Sequence, residues 1–167
     1  MNKSILIALI IIIVLGYIAF SRVNRSKGDI SGDTPTQTVS QGQFSINREA
    51  IDLGNMKVTD EKTAEFMLTN IGSSALTVSR FETSCDCTFG KIIIASTTSP
   101  EFNMRMHVRP EVFAWKADIE PGQQVKILVT YKPSIMPVYG KVERALRFQT
   151  SDPVKPTVEL KVTATVQ

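Results

Sequence analysis

The sequence predicts an all-β domain over residues 43–167, an antiparallel sandwich of seven to nine short strands. Three observations predict it. Several segments alternate apolar and polar side chains with a period of two. Turn-forming residues punctuate them at short intervals. No stretch after residue 42 sustains the 3.6-residue period of a helix.

Taken in order, weak strand patterns cover 43–46 and 50–53. Ala64, Phe66 and Leu68 then alternate with Thr63, Glu65 and Met67, and Asn70-Ile71-Gly72-Ser73 turns the chain. Leu76 and Val78 alternate with Thr77 and Ser79. Further weak patterns cover 91–95 and 112–118; in the second, Trp115 is expected in the core. Glu120-Pro121-Gly122-Gln123 is a turn before Val125, Ile127, Val129 and Tyr131, which alternate with Lys126, Leu128, Thr130 and Lys132. Val142, Leu146 and Phe148 share a parity, but Arg144 falls on the same parity and breaks the apolar row. After Ser151-Asp152-Pro153 and Lys155-Pro156, the row Val158, Leu160, Val162, Ala164 and Val166 gives the clearest strand, with one wet face. About 125 residues suffice for one core.

The 42 residues before this domain read differently. Ile5–Phe20 carries no charge, and as a helix it spans about 24 Å. Ser4, Ser21 and Val23 extend it towards the ~30 Å of a bilayer core, with Lys3 and Arg22 snorkelling to the headgroups. Residues 1–23 are therefore expected to be a transmembrane signal anchor, touching the membrane through residues 4–21. A cleaved signal peptide ending near Ala19 and Ser21 is the competing reading. Residues 24–42 hold two large apolar side chains, Ile30 and Val39, and read as a flexible linker. The positive-inside rule sets Lys3 against Arg22, Arg25 and Lys27 and would keep the domain inside the cell, although the rule is weaker for large translocated domains.

Charge narrows the function. Net charge is +3, but four of the 19 basic residues (Lys3, Arg22, Arg25 and Lys27) precede residue 28, leaving 15 against 16 acids. A nucleic-acid partner is not expected, because the folded part has no basic excess. The single histidine, His107, excludes mechanisms needing two within the chain. A nucleotide loop and a G-x-S-x-G elbow are both absent from the sequence, and scattered carboxylates give no acid–base pair, so an enzyme is not expected. A His107–cysteine nucleophile pair would lack its third, orienting group.

The unusual local feature is Thr83-Ser84-Cys85-Asp86-Cys87-Thr88, which holds both cysteines. In an extended strand their Cα atoms would stand about 6.6–6.8 Å apart on one face, too far for an unstrained bridge. Two thiols, a strained bridge in a bent segment, and two soft ligands for one metal all remain open. The long connection 96–111 adds Met104, Met106 and His107. Cys85, Cys87, Met104, Met106 and His107 make a soft donor set suited to copper(I), with methionine disfavouring zinc. The bland alternative packs both methionines on the sandwich and leaves His107 in solvent.

These motifs resemble those of an uncharacterised bacterial family. Met67–Val78 resembles its F-x-x-x-N-x-G-x-x-x-L-x-I segment, Ser84–Thr88 its S-C-x-C-T, Pro121-Gly122 its P-G, and Ser151-Asp152-Pro153 its N-D-P, with serine in place of asparagine. The family is similar to Hydin-type (ASH) domains. The resemblance implies an immunoglobulin-like β-sandwich, commonly exported or membrane-anchored in bacteria, and some members carry Met and His after the cysteine pair. It implies no activity. The export habit outweighs the loop charges and implies a single-pass protein of the bacterial cell membrane, its C-terminal domain extracytoplasmic. The expected role is a non-enzymatic interaction module with an envelope protein partner, without cofactor. Its alternative is a copper(I)-binding or thiol-redox protein.

Overall fold

The computed structural model describes residues 43–167. The expected anchor at 1–23 and linker at 24–42 lie outside the described residues. Among the described residues no helix is long and apolar enough to cross a membrane.

The described residues form two five-stranded sheets. One has the order β1 (Phe44–Ile46), β3 (Lys62–Asn70), β8 (Gln124–Tyr131), β5 (Thr88–Ile94), β6 (Thr97–Thr98). The other has the order β2 (Ala50–Met56), β10 (Thr157–Val166), β9 (Gly140–Thr150), β4 (Leu76–Thr83), β7 (Lys116–Ile119). This is the expected immunoglobulin-like sandwich, with ten strands instead of seven to nine. All pairs are antiparallel except β2 with β10, which run parallel. Parallel pairing needs a distant partner, and the last strand supplies it.

The alternating rows become the inner faces. Val158, Leu160, Val162, Ala164 and Val166 of β10 are buried, as are Val125, Ile127, Val129 and Tyr131 of β8. In β4 the buried row shifts parity from Leu76 and Val78 to Phe81 and Thr83. The shift coincides with a bulge between Ser79 and Glu82 in its pairing with β9, where Arg80 takes a positive φ of 54°. The extra residue turns Phe81 inward, where it stacks between Phe102 (4.5 Å) and Phe148 (4.9 Å). Trp115 closes this aromatic group from the side, 5.4 Å from Phe102, as expected of a core residue. The sheets approach closely at Gly90, where a Cβ would lie 2.6 Å from Leu146 Cδ1.

Two expectations are corrected. Residues 112–118 are not one strand: a short helix α1 (Pro110–Phe113) precedes β7. Pro110 occupies its first turn, where a fixed φ and a missing N–H cost nothing. The segment 96–111 is likewise not one open connection, since β6 pairs back on β5 and Phe102 exchanges both backbone hydrogen bonds with Gly90.

The sandwich has two poles. At one, the Ile71 and Gly72 amides donate to Gln43 O, and the Asn70 amide donates to Gln123 O. At the other, Tyr131 pairs with both Lys62 and Thr88, and the Lys132 amide donates to Cys87 O. Strand β3 runs from the second pole to the first, about 27 Å over its eight steps. Gln43 and the cysteines therefore lie at opposite ends of the domain.

Candidate functional site

The cysteines occupy the turn between β4 and β5, which crosses from one sheet to the other. The turn is held on every side. The Thr83 hydroxyl and the Thr88 amide both donate to Cys85 O, at 2.9 and 3.2 Å. Ser84 extends the ladder to β9: its amide donates to Ala145 O and its hydroxyl accepts from the Ala145 amide, both at 2.9 Å. This bending brings the two cysteine Cα atoms to 5.3 Å, and a disulfide joins the side chains. Of the three readings left open by the sequence, the structure takes the bridge in a bent segment.

The two sulfurs have different surroundings. Cys87 is fully buried in a cluster with Met56, Tyr131, Val142, Ala164 and Val166, whereas Cys85 is half-buried at its margin. Cys85 Sγ accepts from the Cys87 amide (3.1 Å) and lies 3.4 Å from the Thr88 hydroxyl. Cys87 Sγ accepts from Arg144 Nε at 3.3 Å. The Arg144 guanidinium also lies over the Tyr131 ring, 5.5 Å from its centroid. Among the described residues no carboxylate forms a salt bridge with Arg144; its other contact is Nη1 donating to Glu143 O. Among the described residues the buried Tyr131 hydroxyl has no hydrogen-bond partner.

The segment carrying Met104, Met106 and His107 folds back onto this turn. Asn103 makes the junction: its buried side-chain amide donates to Asp86 O (3.0 Å) and Thr88 O (3.2 Å), and its backbone carbonyl accepts from the Thr83 amide. His107, in a 3-10 turn over Arg105–His107, donates from Nδ1 to Asp86 Oδ1 at 2.6 Å, so it meets the residue between the two cysteines. Met104 is half-buried and Met106 is 78% exposed. Both line a surface groove with Thr83, Ser84, Arg105 and Arg147. The five candidate residues thus share one pole. Among the described residues no three His, Cys, Asp or Glu side chains are grouped to hold a metal. Sulfurs bonded to one another offer no thiolates, so copper(I) at this set requires the reduced pair.

The same pole carries a loop that sequence reasoning left aside. Between β8 and β9, Ile135, Met136, Val138 and Tyr139 are exposed, Tyr139 by 70%. Sequence reasoning also missed Asn103, Tyr131 and Arg144 as parts of the site. Only Arg144 left a signal, as the charge in an apolar row.

Residues 44–109 match the family model described as "Protein of unknown function (DUF1573)", a stretch that includes Cys85, Cys87, Met104, Met106 and His107. The resemblance read from the motifs is borne out there. No curated protein matches the chain. A protein of unknown function from Porphyromonas gingivalis W83 has a similar structure, with a TM-score of 0.55 at 17% identity over 80% of this chain and 51% of that one. The chain thus spans about half the length of that protein, and the likeness is one of fold. The ASH/PapD-like domain 7 of human CEP192 gives a TM-score of 0.49 at 11% identity over 84% of this chain and 96% of that one. The YadV chaperone gives 0.42 at 13% identity over 74% and 52%.

Proposed function

We propose that the chain is a non-enzymatic interaction module of the bacterial envelope, anchored in the cell membrane through residues 4–21 with its sandwich outside. The apolar run Ile5–Phe20 and the export habit of the resembling family support the anchor. The observation that carries the binding reading is the concentration of exposed large side chains at the cysteine pole. Ile135, Met136, Val138 and Tyr139 stand out of one loop and Met106 out of another, all mounted on a rigid sheet framework. Exposed apolar residues gathered in loops on such a framework are typical of protein contact surfaces. Gln43, where the described residues begin, lies at the opposite pole.

The test is site-specific photo-crosslinking in living cells, with the reactive group at position 139 or, as control, at exposed Val154 of the other pole. A discrete crosslinked species from position 139 alone supports the reading. Equal products from both positions, or none from 139, contradict it.

A second reading, copper(I) held by the reduced cysteines with Met104, Met106 and His107, is supported by the return of the loop onto Asp86. Titrating the reduced chain with copper(I) decides it: one-to-one binding lost on replacing both cysteines by serine supports the site, and no binding removes it.

A further inference from the structure

We propose that Cys85 and Cys87 form a thiol–disulfide exchange site for dithiols, in which Cys85 is the sulfur attacked and Cys87 the sulfur released against Arg144. This goes beyond the binding reading and rests on other groups, the sulfurs and one guanidinium.

Three observations converge. First, the two sulfurs are unequal: Cys87 is 0% exposed, while Cys85 stands half-buried at the edge of the turn. An incoming thiolate can reach only one of them. Second, Arg144 is placed on the buried sulfur at the cost of an apolar position in β9. In the oxidised pair its Nε–H faces a neutral sulfur, a weak acceptor, and no carboxylate balances its charge among the described residues. A thiolate formed at Cys87 turns that contact into a charge-assisted hydrogen bond, so the cation favours the released form of this sulfur specifically. Third, the bridge spans residues two apart, and a loop that short removes very little chain entropy. The sandwich gains less from so short a loop than from a long one, which makes a purely structural role a weak explanation of its setting.

A thiolate of the dithiol attacks Cys85 Sγ, forming a mixed disulfide, breaking the Cys85–Cys87 bond and releasing Cys87 as a thiolate beside Arg144. The second thiolate of the same dithiol attacks its own sulfur in the mixed disulfide and releases Cys85. The dithiol loses two electrons and two protons and becomes a disulfide. The cysteine pair takes both electrons, and the protons pass to it or to solvent. Arg144 touches no substrate atom, so it is a positioning residue for the leaving sulfur.

The test uses the full chain in detergent, incubated with dithiothreitol or with a peptide carrying a C-x-x-C dithiol, and follows free thiols by maleimide labelling. Both probes are expected to reduce the native pair. In Arg144→Gln the equilibrium should move about tenfold towards the protein disulfide, and Arg144→Lys, which restores a cation, should recover much of it. Circular dichroism confirms that each variant is folded. A bridge with only a structural role would respond equally to both variants or to neither. Attack selectivity is read with single cysteines: a peptide disulfide should couple to Cys85 in Cys87→Ser and at least tenfold more slowly to Cys87 in Cys85→Ser. Faster reduction by the peptide than by dithiothreitol points to polypeptide dithiols, and equal rates point to small ones. Failure of both probes to reduce the folded protein, or an equilibrium indifferent to Arg144, overturns the proposal.

Discussion

Each pole of the sandwich satisfies a buried asparagine, Asn70 at one and Asn103 at the other, but the cysteine pole also leaves buried polar capacity unspent among the described residues. At the Gln43 pole, Asn70 is fully buried, and its side chain is spent on three hydrogen bonds. Its amide group donates to Ser74 O and Ile119 O at 2.9 and 2.7 Å, and its carbonyl accepts from the Gly72 amide at 2.9 Å. At the cysteine pole, the Tyr131 hydroxyl is buried with nothing to bond, and Arg144 lies against a neutral sulfur. The main apolar cluster holds the Phe102–Phe81–Phe148 stack, and Tyr131 belongs to a second, smaller one with Cys87. The difference teaches where the fold can tolerate unspent polar capacity. One pole is closed by hydrogen bonds that define the turn. The other keeps groups that a new charge or a new donor would satisfy, at the end of the domain where exposed apolar loops gather.

Substitutions sharpen this contrast. Asn70→Ala should cost about 2–3 kcal/mol in urea unfolding, because three backbone groups lose their partner and one of them is the carbonyl of Ile119 at the buried end of β7. A cost below about 0.5 kcal/mol would mean that water replaces the side chain there and the poles do not differ. Tyr131→Phe should do the reverse: removing an unpartnered buried hydroxyl leaves stability unchanged or raises it by up to about 1 kcal/mol. A clear loss would show that the hydroxyl has a partner and that the cysteine pole is satisfied after all.

The smallest effect belongs to a pair in neither pole. On the exposed face of β9 and β10, Arg147 Nε bonds Glu159. The hydrogen bond from Arg147 holds the Glu159 carboxyl below the ordinary glutamate range. A depressed folded value means a contribution present above the ordinary glutamate pKa and lost as pH falls through the lowered one. Arg147 is exposed and Glu159 about one-third exposed, so a double-mutant cycle at neutral pH should give about 0.5 kcal/mol or less, vanishing in acid.

Much of this architecture was legible in the sequence, and the illegible parts have physical reasons. The rows of β8 and β10 could be read because one face is wet, so their period of two survives in composition. The run Val112-Phe113-Ala114-Trp115 could not be assigned by period, being apolar throughout, and Pro110 was the sign of a helix start that outweighed it. The parity shift at Arg80 and the parallel β2–β10 pair depend on partners far along the chain, which local patterns do not encode. At the site, a motif marked Cys85 and Cys87, and residue type marked Met104, Met106 and His107. Asn103 left no trace, because an asparagine in a polar loop looks like any other. Arg144 was visible only as an irregularity, and it took the fold to place that irregularity on a sulfur.

If the cysteine pole is free for chemistry, the sheet core alone must hold the fold. Urea unfolding of the same full chain, oxidised and then reduced, tests it most directly. A bridge closing a three-residue loop is worth about 1.5 kcal/mol in chain entropy. Both forms should therefore unfold cooperatively, with the reduced chain less stable by no more than that. A reduced chain that is unfolded, or that loses its cooperative transition, would make the bridge a structural staple and contradict the account.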